Sequence, residues 1–344
     1  MSNSDLSRQA DAFRLPPRLE LARLPTPLRQ LRRFPGIPGG TRLWIKHDEQ
    51  TGTELSGNKV RKLEFTLAEA LSRGCDTIIT CGGIQSNHAR ATAVLGARLG
   101  LSVHLILRGE RPAVPDGNLL LDYLTGATVH YLPQSEWQSH IACAQDLRNS
   151  LESEGHRVLF IPTGASDEIG LWGYVAACQE LREDFRATSL QPDIIAVATG
   201  SGGTQSGLIA GNALFALGAG IRAFNVCDDA AWFLDKVRGD LGRWQSRYAD
   251  FLPESFDATA LPVTTVDGYV GPGYGVAEPP VYETIAALAR SEGIILDPVY
   301  TGKAFHGLLE ELRHGTLKGA RDVVFIHTGG LFGLFPHREH FTVS

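Results

Sequence analysis

The chain has 344 residues, of which 43% are hydrophobic and 20% are charged, and its formal net charge at pH 7 is -6. This is the composition of an ordinary globular protein, and the mildly negative balance argues against a nucleic-acid-binding protein. Because the length exceeds what one hydrophobic core usually serves, we expect two domains.

The N-terminal residues 1–14 are polar, and no apolar run approaches the ~18 residues of a membrane span, so the sequence predicts neither a signal peptide nor a membrane segment. The five cysteines are scattered and lack C-x-x-C spacing, which favours reduced thiols and a cytoplasmic location. The histidines show no H-E-x-x-H or paired Cys/His spacing, so no metal site is predicted.

The first forty residues are rich in proline, leucine and arginine and predict an irregular arm with short helices. Beyond them, β-branched runs alternate with segments whose apolar residues recur every three or four positions. The predicted strands are 43–46, 77–81, 103–107, 129–132, 158–161, 194–198, 224–227 and 323–327. The predicted helices are 58–73, 87–99, 118–124, 136–154, 169–183, 204–217, 232–237, 282–291 and 302–314, and residues 239–262 are expected to be irregular.

This alternation predicts an α/β protein with parallel-rich sheets and helices on both faces. Right-handed crossovers then place ligands at the carboxyl ends of the strands. Three polar segments of the sequence lie at such positions, and they hold most of its functional information.

The first of them is a glycine-rich loop between a predicted strand and helix, Thr199-Gly200-Ser201-Gly202-Gly203-Thr204. Its backbone N–H groups and the following helix N-terminus suit a phosphate. It is not a Walker A loop, because no lysine follows the glycines, and Gln205 breaks the G-x-G-x-x-G pattern. It also lacks the G-x-S-x-G pattern of hydrolases. An ordinary tight turn is the alternative.

The second segment is Ser56-Gly57-Asn58-Lys59-Val60-Arg61-Lys62, which places a lysine at the start of a helix. The neighbouring cations Arg61 and Lys62 would lower the pKa of Lys59 and help it act as a nucleophile and base. A solvated surface lysine is the alternative. A phosphate loop together with a Schiff-base lysine suggests pyridoxal phosphate (PLP) and amino-acid chemistry.

The third segment, Gln85-Ser86-Asn87-His88, opens a helix after a strand that ends at Cys81-Gly82-Gly83. Backbone N–H groups there and the Ser86 hydroxyl could bind a substrate carboxylate. The alternative is an ordinary helix cap by Ser86 or Asn87, and both roles are compatible. His88 is either a base or a structural residue.

These motifs resemble the PLP-dependent enzymes of the tryptophan synthase β-type fold (fold type II), and within them the D-cysteine desulfhydrase and 1-aminocyclopropane-1-carboxylate (ACC) deaminase group. The resemblance runs from about residue 24 to 335 and includes Gly273-Tyr274-Gly275, the segment 292–303, and His327-Thr328-Gly329-Gly330. It implies a small domain, residues 61–167, inserted into a large PLP-binding domain of residues 1–60 and 168–344. A homodimer is also implied.

The resemblance assigns roles residue by residue. It implies that Lys59 forms the Schiff base, that Ser86, with Gln85 and Asn87, binds the substrate, and that Asn87 also contacts the phenolic oxygen of PLP. Tyr274 and Tyr300 resemble the two active-site tyrosines. The remaining cofactor-binding residues implied are Gly200, Ser201, Gly202, Gly203, Thr204, Thr301 and Thr328.

Two threonines separate this chain from the deaminase pattern, which has glutamate at the position of Thr301 and leucine at that of Thr328. We expect Thr301 to face the pyridine nitrogen of PLP, with Thr328 as the alternative. A hydroxyl there does not hold the ring protonated as a carboxylate would, which favours elimination of a good leaving group over opening of a cyclopropane.

The sequence therefore predicts a PLP-dependent lyase that converts D-cysteine to pyruvate, ammonia and sulfide. The alternatives are ACC deaminase, a β-eliminating lyase acting on cysteate or another β-substituted alanine, and a non-catalytic PLP-binding protein. The expected partner is a small amino-acid substrate, with no nucleic acid and no membrane.

Overall fold

The computed structural model describes residues 13–341, whose strands form one six-stranded and one four-stranded sheet. The strands are β1 (Leu28–Gln30), β2 (Arg42–Lys46), β3 (Thr77–Gly83), β4 (Ser102–Arg108), β5 (Thr128–Leu132), β6 (Val158–Ile161), β7 (Ile194–Thr199), β8 (Gly220–Asn225), β9 (Thr265–Val266) and β10 (Asp322–Ile326). The α-helices are α1 (Lys59–Ser72), α2 (Asn87–Leu99), α3 (Gly117–Leu124), α4 (His140–Ser153), α5 (Trp172–Thr188), α6 (Gly203–Leu214), α7 (Ala230–Arg247), α8 (Pro279–Glu292) and α9 (Thr301–Arg313).

The six-stranded sheet has the order β1-β2-β10-β7-β8-β9 and is parallel except for the edge strand β1. All six residues of the central strand β7 are buried, as expected for a parallel strand covered on both faces. Its side chains alternate between two cores: Ile195 and Val197 pack with α5, α6 and α7, and Ile194 and Ala196 pack with α8 and α9.

The four-stranded sheet has the order β5-β4-β3-β6 and is parallel throughout. Ile78 of β3 faces a core shared with α1, α2 and α3, and Ile79 faces the opposite core shared with α4. The sheet consists of residues between 77 and 161, which lie inside the predicted inserted segment 61–167. The domain boundaries themselves stay a prediction.

The predicted α/β class, with parallel-rich sheets and helices on both faces, is confirmed. The helix predicted at 87–99 and the strand predicted at 158–161 have those bounds in the structure. The strand predicted at 224–227 begins and ends earlier, as β8. The first four residues of the helix predicted at 136–154 lie in a 3-10 helix, Gln134–Ser139, and α4 begins at His140.

Two expectations were wrong. Between residues 13 and 41 the structure has no helix but one short strand, β1, whose antiparallel position at the sheet edge tolerates the preceding prolines. The segment expected to be irregular from 239 begins inside α7, which continues to Arg247 because Leu241 and Trp244 are fully buried on its inner face. In the described part of the chain, no helix combines the length and apolar character needed to cross a membrane.

Candidate active site

A cavity of about 480 Å³ is lined by residues from elements of both sheets. Gly83, Arg108 and Thr199 bring the carboxyl ends of β3, β4 and β7 to its wall, the place where parallel sheets bind ligands. The structure brings ten of the thirteen predicted site residues to this cavity: Lys59, Ser86, Asn87, Gly200, Ser201, Gly202, Thr204, Tyr274, Tyr300 and Thr328. The other three, Gln85, Gly203 and Thr301, do not line it.

The glycine loop connects β7 to the N-terminus of α6. Gly202 has a φ of +84°, a conformation that favours glycine, and it lets the loop turn into the helix. The Ser201 hydroxyl is 2.8 Å from the Ser166 hydroxyl, which also accepts a hydrogen bond from the Gly203 amide at 3.2 Å. Gly203 itself lies behind the cavity wall, where a Cβ atom would come within 2.6 Å of the Lys62 ammonium nitrogen.

Two lysines place cations beside this loop, and the sequence motifs did not assign them to it. The buried Lys62 ammonium donates to the Gly164 carbonyl at 2.6 Å and to the Ser166 hydroxyl at 3.0 Å. Lys236, on α7, lines the cavity and donates to the Ser166 carbonyl at 3.0 Å. Only a helical pattern around residue 236 was visible in the sequence, because its approach to the loop arises from packing of α7.

The surroundings of Lys62 favour an anion at the loop. Burial, together with the nearby Lys59 charge, lowers the pKa of Lys62 well below its ordinary value. A phosphate dianion at the loop would offset that unfavourable cationic environment, and the α6 N-terminus would add its backbone N–H groups. The residues present therefore suit the phosphate of PLP.

Lys59 is the first residue of α1 and lines the cavity. Burial lowers the pKa of Lys59 to about 8, against the opposing effect of the Asp297 carboxylate. Two hydrogen bonds hold the preceding residue, Asn58, in place. Its backbone N–H donates to the Thr328 carbonyl at 3.1 Å, and its side chain donates to the Thr204 hydroxyl at 2.9 Å. A neutral amine is thus accessible near physiological pH, as a Schiff-base lysine requires.

Residues 85–87, at the start of α2, make different contacts. The Ser86 hydroxyl caps the helix by accepting from the Ala89 amide at 3.1 Å, as one of the two predicted roles requires. Ser86 also lines the cavity, and its binding of a substrate carboxylate stays a prediction. The Asn87 side-chain oxygen accepts from Asn118 at 3.0 Å. Gln85 instead contacts α3: its side-chain oxygen accepts a hydrogen bond from the Asn118 backbone N–H at 2.9 Å. Gln85 does not line the cavity.

His88 is buried in the cavity wall and is neutral. Burial, with the charges of Lys59 and Lys62, lowers its pKa well below the ordinary value. The Thr80 hydroxyl donates its proton to the Ile161 carbonyl at 2.8 Å, so the His88 Nε2–H must be the donor across the 2.8 Å contact with that hydroxyl. The Nδ1 atom has no hydrogen-bond partner among the described residues.

Tyr274 and Tyr300 form a hydrogen-bonded pair on the cavity wall, with 2.5 Å between their phenolic oxygens. Burial raises the pKa of both phenols. The Arg108 guanidinium lies 4.8 Å from the centre of the Tyr274 ring. Both tyrosines therefore stay protonated. One phenol donates its proton to the other across this contact, so one O–H of the pair is left to donate a proton or a hydrogen bond to a ligand.

The two threonines, Thr301 and Thr328, have different surroundings in the structure. Thr301 is fully buried, and its hydroxyl donates to the Asp297 carboxylate at 2.6 Å, away from the cavity. Thr328 lines the cavity, and its carbonyl lies so near Gly57 that a Cβ atom there would come within 2.5 Å of it. Thr328, which the sequence left as the alternative, is the threonine positioned to meet a ligand.

The fold and this cavity define a PLP-dependent enzyme of fold type II, and comparisons with known proteins agree. Residues 19–329 match the family model described as "Pyridoxal-phosphate dependent enzyme", and the chain belongs to that family. A relative in Arabidopsis thaliana, the mitochondrial "Bifunctional D-cysteine desulfhydrase/1-aminocyclopropane-1-carboxylate deaminase", is 43% identical over 325 residues, covering 92% of this chain and 78% of that protein.

Two solved structures have the same fold. An "ACC deaminase homologue" shares 32% identity with a TM-score of 0.82, and the match covers 99% of both chains. A fungal L-serine ammonia-lyase from Rhizomucor miehei, at 17% identity and a TM-score of 0.65, covers 94% of this chain and 99% of its own, and it shares the fold. The chain is thus a member of the ACC deaminase and D-cysteine desulfhydrase group of PLP-dependent enzymes.

Proposed function

We propose that this protein is a PLP-dependent lyase that eliminates sulfide from D-cysteine and forms pyruvate and ammonia. The observation that carries this proposal is Thr328 on the cavity wall, together with the scarcity of carboxylates there: Asp228 is the one carboxylate that lines the cavity among residues 13–341. Its Oδ2 accepts from the Cys227 thiol at 2.9 Å. A ring nitrogen beside a hydroxyl withdraws electrons less than a protonated one, which suffices when sulfide is the leaving group.

When bound, PLP withdraws electrons from the substrate Cα atom and acidifies its proton. The Gly200–Thr204 loop, with the ammonium groups of Lys62 and Lys236, would hold the phosphate of the cofactor. Lys59 would hold its aldehyde carbon, and Asn87 would contact its phenolic oxygen.

Lys59 is the proposed base. Its Nζ atom would take the Cα proton of the bound substrate. A pKa of about 8 makes the neutral amine accessible near physiological pH and keeps it basic enough to accept that proton.

The N-terminus of α2 is the proposed carboxylate site. The Ser86 hydroxyl and the free backbone N–H groups of the first helical turn would hold the substrate carboxylate, with the helix dipole favouring the negative charge. The carboxylate would thereby fix which hydrogen on Cα meets Lys59.

The tyrosine pair is the proposed acid. As the Cβ–S bond breaks, its electron pair stays on sulfur, and Tyr274 would supply a proton to that sulfur. Tyr300, whose phenolic oxygen is 2.5 Å away, would stabilise the phenolate that remains. The three-carbon product would take up water and leave as pyruvate and ammonia.

ACC deaminase is the second candidate, because the Arabidopsis relative is named for both activities. The testing experiment supplies purified holoenzyme with D-cysteine, L-cysteine and ACC, and measures sulfide, pyruvate and 2-oxobutyrate. Sulfide and pyruvate from D-cysteine support the proposal, 2-oxobutyrate from ACC supports the second candidate, and no product would indicate a non-catalytic PLP-binding protein. A homodimer and a cytoplasmic location, both expected from the sequence, remain part of the proposal.

A further inference from the structure

Arg108 is the last residue of β4 and lines the cavity, and the sequence motifs gave it no role. In the sheet its partner is Gly83, three residues before Ser86. The residue therefore lies on the side of the cavity where the proposed substrate carboxylate site begins, and its strand fixes the position of its backbone.

Aromatic rings on two sides hold the guanidinium of Arg108 in place. Its central carbon is 4.8 Å from the centre of the Tyr274 ring and 5.4 Å from that of Trp137, both within the range of a cation–π contact. The Trp137 ring is in turn stacked on His140 at 4.4 Å with an interplanar angle of 4°. Held by these rings, the guanidinium presents a planar, rigid set of N–H donors to the cavity.

The guanidinium has no anionic partner. Among residues 13–341 no carboxylate forms an ion pair with Arg108, and its N–H groups donate no hydrogen bond to a protein acceptor. Asp228 lines the same cavity but accepts from the Cys227 thiol. A partly buried guanidinium with free N–H groups is suited to a ligand anion, especially one with several oxygens.

We propose that Arg108 binds a negatively charged substituent on the β-carbon of the substrate, so that the enzyme favours β-substituted alanines with an anionic group, a sulfonate or a thiolate, over those with a neutral one. This inference rests on the proposed function, since the α-carboxylate is placed at Ser86 and the leaving group at Tyr274. The guanidinium over the Tyr274 ring then faces the leaving group.

Cysteate is the probe for an anionic β-substituent, because its sulfonate stays fully charged. In its elimination the Cα–H bond and the Cβ–S bond break, the proton passes to Lys59, and the electron pair leaves with sulfur as sulfite. Water then converts the remaining three-carbon fragment to pyruvate and ammonia, and no oxidant or reductant is consumed.

The experiment measures kcat/KM for cysteate and for 3-chloroalanine, both enantiomers of each, with holoenzyme and with Arg108→Gln. We expect Arg108→Gln to lower kcat/KM for cysteate about ten- to a hundred-fold. The loss for 3-chloroalanine, whose β-substituent is neutral in the bound substrate and gains charge only as chloride leaves, should be several-fold smaller. Arg111→Gln, an exposed arginine three residues along that does not line the cavity, is the matched control and should change neither value.

A second readout needs no turnover: calorimetry compares binding of 3-sulfopropanoate, an unreactive analogue without the amino group, with binding of butanoate, which keeps the carboxylate but has a neutral methyl group in place of the sulfonate. The parent should prefer the sulfonate, Arg108→Lys should retain part of that preference, and Arg108→Gln should lose it. If Arg108→Gln does not fold, the parent and Arg108→Lys still decide the question.

Equal losses for cysteate and 3-chloroalanine would overturn the inference, because Arg108 would then act on the shared α-carboxylate or on the fold. No preference of the parent for the sulfonate would also overturn it. Failure of D-cysteine elimination, with an Arg108-dependent preference for sulfonates retained, would contradict the proposed function alone.

Discussion

The Asn58 side-chain amide donates a 2.9 Å hydrogen bond to the Thr204 hydroxyl, and so ties the residue before Lys59 to the end of the glycine loop. The two residues are 146 positions apart in the chain. The contact fixes a lysine with a lowered pKa next to a loop suited to a phosphate, which is the arrangement that a covalently held PLP requires.

Cofactor attachment should depend on pH through Lys59. Only the neutral amine attacks the PLP aldehyde, so we expect the rate of reconstitution of apoenzyme to rise as pH increases through about 8, the lowered pKa of Lys59. The growth of visible absorption after PLP is added measures this rate. Lys59→Ala, the control, should bind PLP without developing that absorption, and an inflection near the ordinary lysine value of 10.5 would contradict the buried environment of Lys59.

Ser86→Ala should impair substrate binding more than cofactor retention. Loss of one hydrogen bond to a charged carboxylate costs about 1.5–3 kcal/mol, or roughly ten- to a hundred-fold in kcat/KM. Because Ser86 also caps α2, the free energy of unfolding should fall by about 1 kcal/mol. Ser86→Thr keeps the hydroxyl and should retain most of both. Loss of PLP with unchanged kinetics of the loaded fraction would assign Ser86 to the cofactor site instead.

The two threonines should respond differently to removal of their hydroxyls. Thr328→Val should lower kcat for D-cysteine about two- to ten-fold, the effect of one hydrogen bond at the cofactor, and shift the visible absorption of bound PLP. Thr301→Val should leave kcat of the folded enzyme unchanged but cost about 1–3 kcal/mol of stability, because it leaves the buried Asp297 carboxylate short of a donor. Kinetics and denaturant unfolding of both variants test this contrast, and the reverse pattern would return the cofactor contact to Thr301.

His88 should make the protein sensitive to acid. Its folded-state pKa lies well below 6.5, so as pH falls below 6.5 the unfolded chain takes up a proton that the folded state cannot yet bind, and stability falls. His88→Gln removes this contribution, so the stability difference between parent and variant should change by up to about 1.4 kcal/mol per pH unit below about 6.5 and be constant above it. Denaturant unfolding across this range measures it, with the exposed His314→Gln as control. A constant difference throughout would mean that His88 is not held neutral.

The sequence predicted the elements that its local patterns determine. Apolar, β-branched runs such as Ile194–Thr199 predict buried strands because they are covered on both faces. The two-residue strand β9 carries no pattern of its own and exists only because it pairs with β8. Residues 239–247 were expected to be irregular but belong to α7, because burial of Leu241 and Trp244 outweighs the low helix propensity of Gly239 and Gly242.

The site was predictable where a motif is continuous in the chain, and less so elsewhere. Lys59, Ser86 and the glycine loop belong to local motifs and line one cavity. Arg108 and Lys236 reach it only through packing of β4 and α7, which single residues do not reveal. Thr301 directly follows a cavity residue, but as the first residue of α9 its side chain turns to Asp297.

Sulfide and pyruvate measured together from D-cysteine, with Lys59→Ala as the inactive control, decide whether this enzyme performs the proposed elimination. We predict that the holoenzyme releases the two products in equal amounts, turns over D-cysteine with a higher kcat/KM than L-cysteine, and forms little or no 2-oxobutyrate from ACC. Turnover of ACC with a kcat/KM equal to or above that for D-cysteine would contradict it, as would sulfide and pyruvate production that persists in Lys59→Ala.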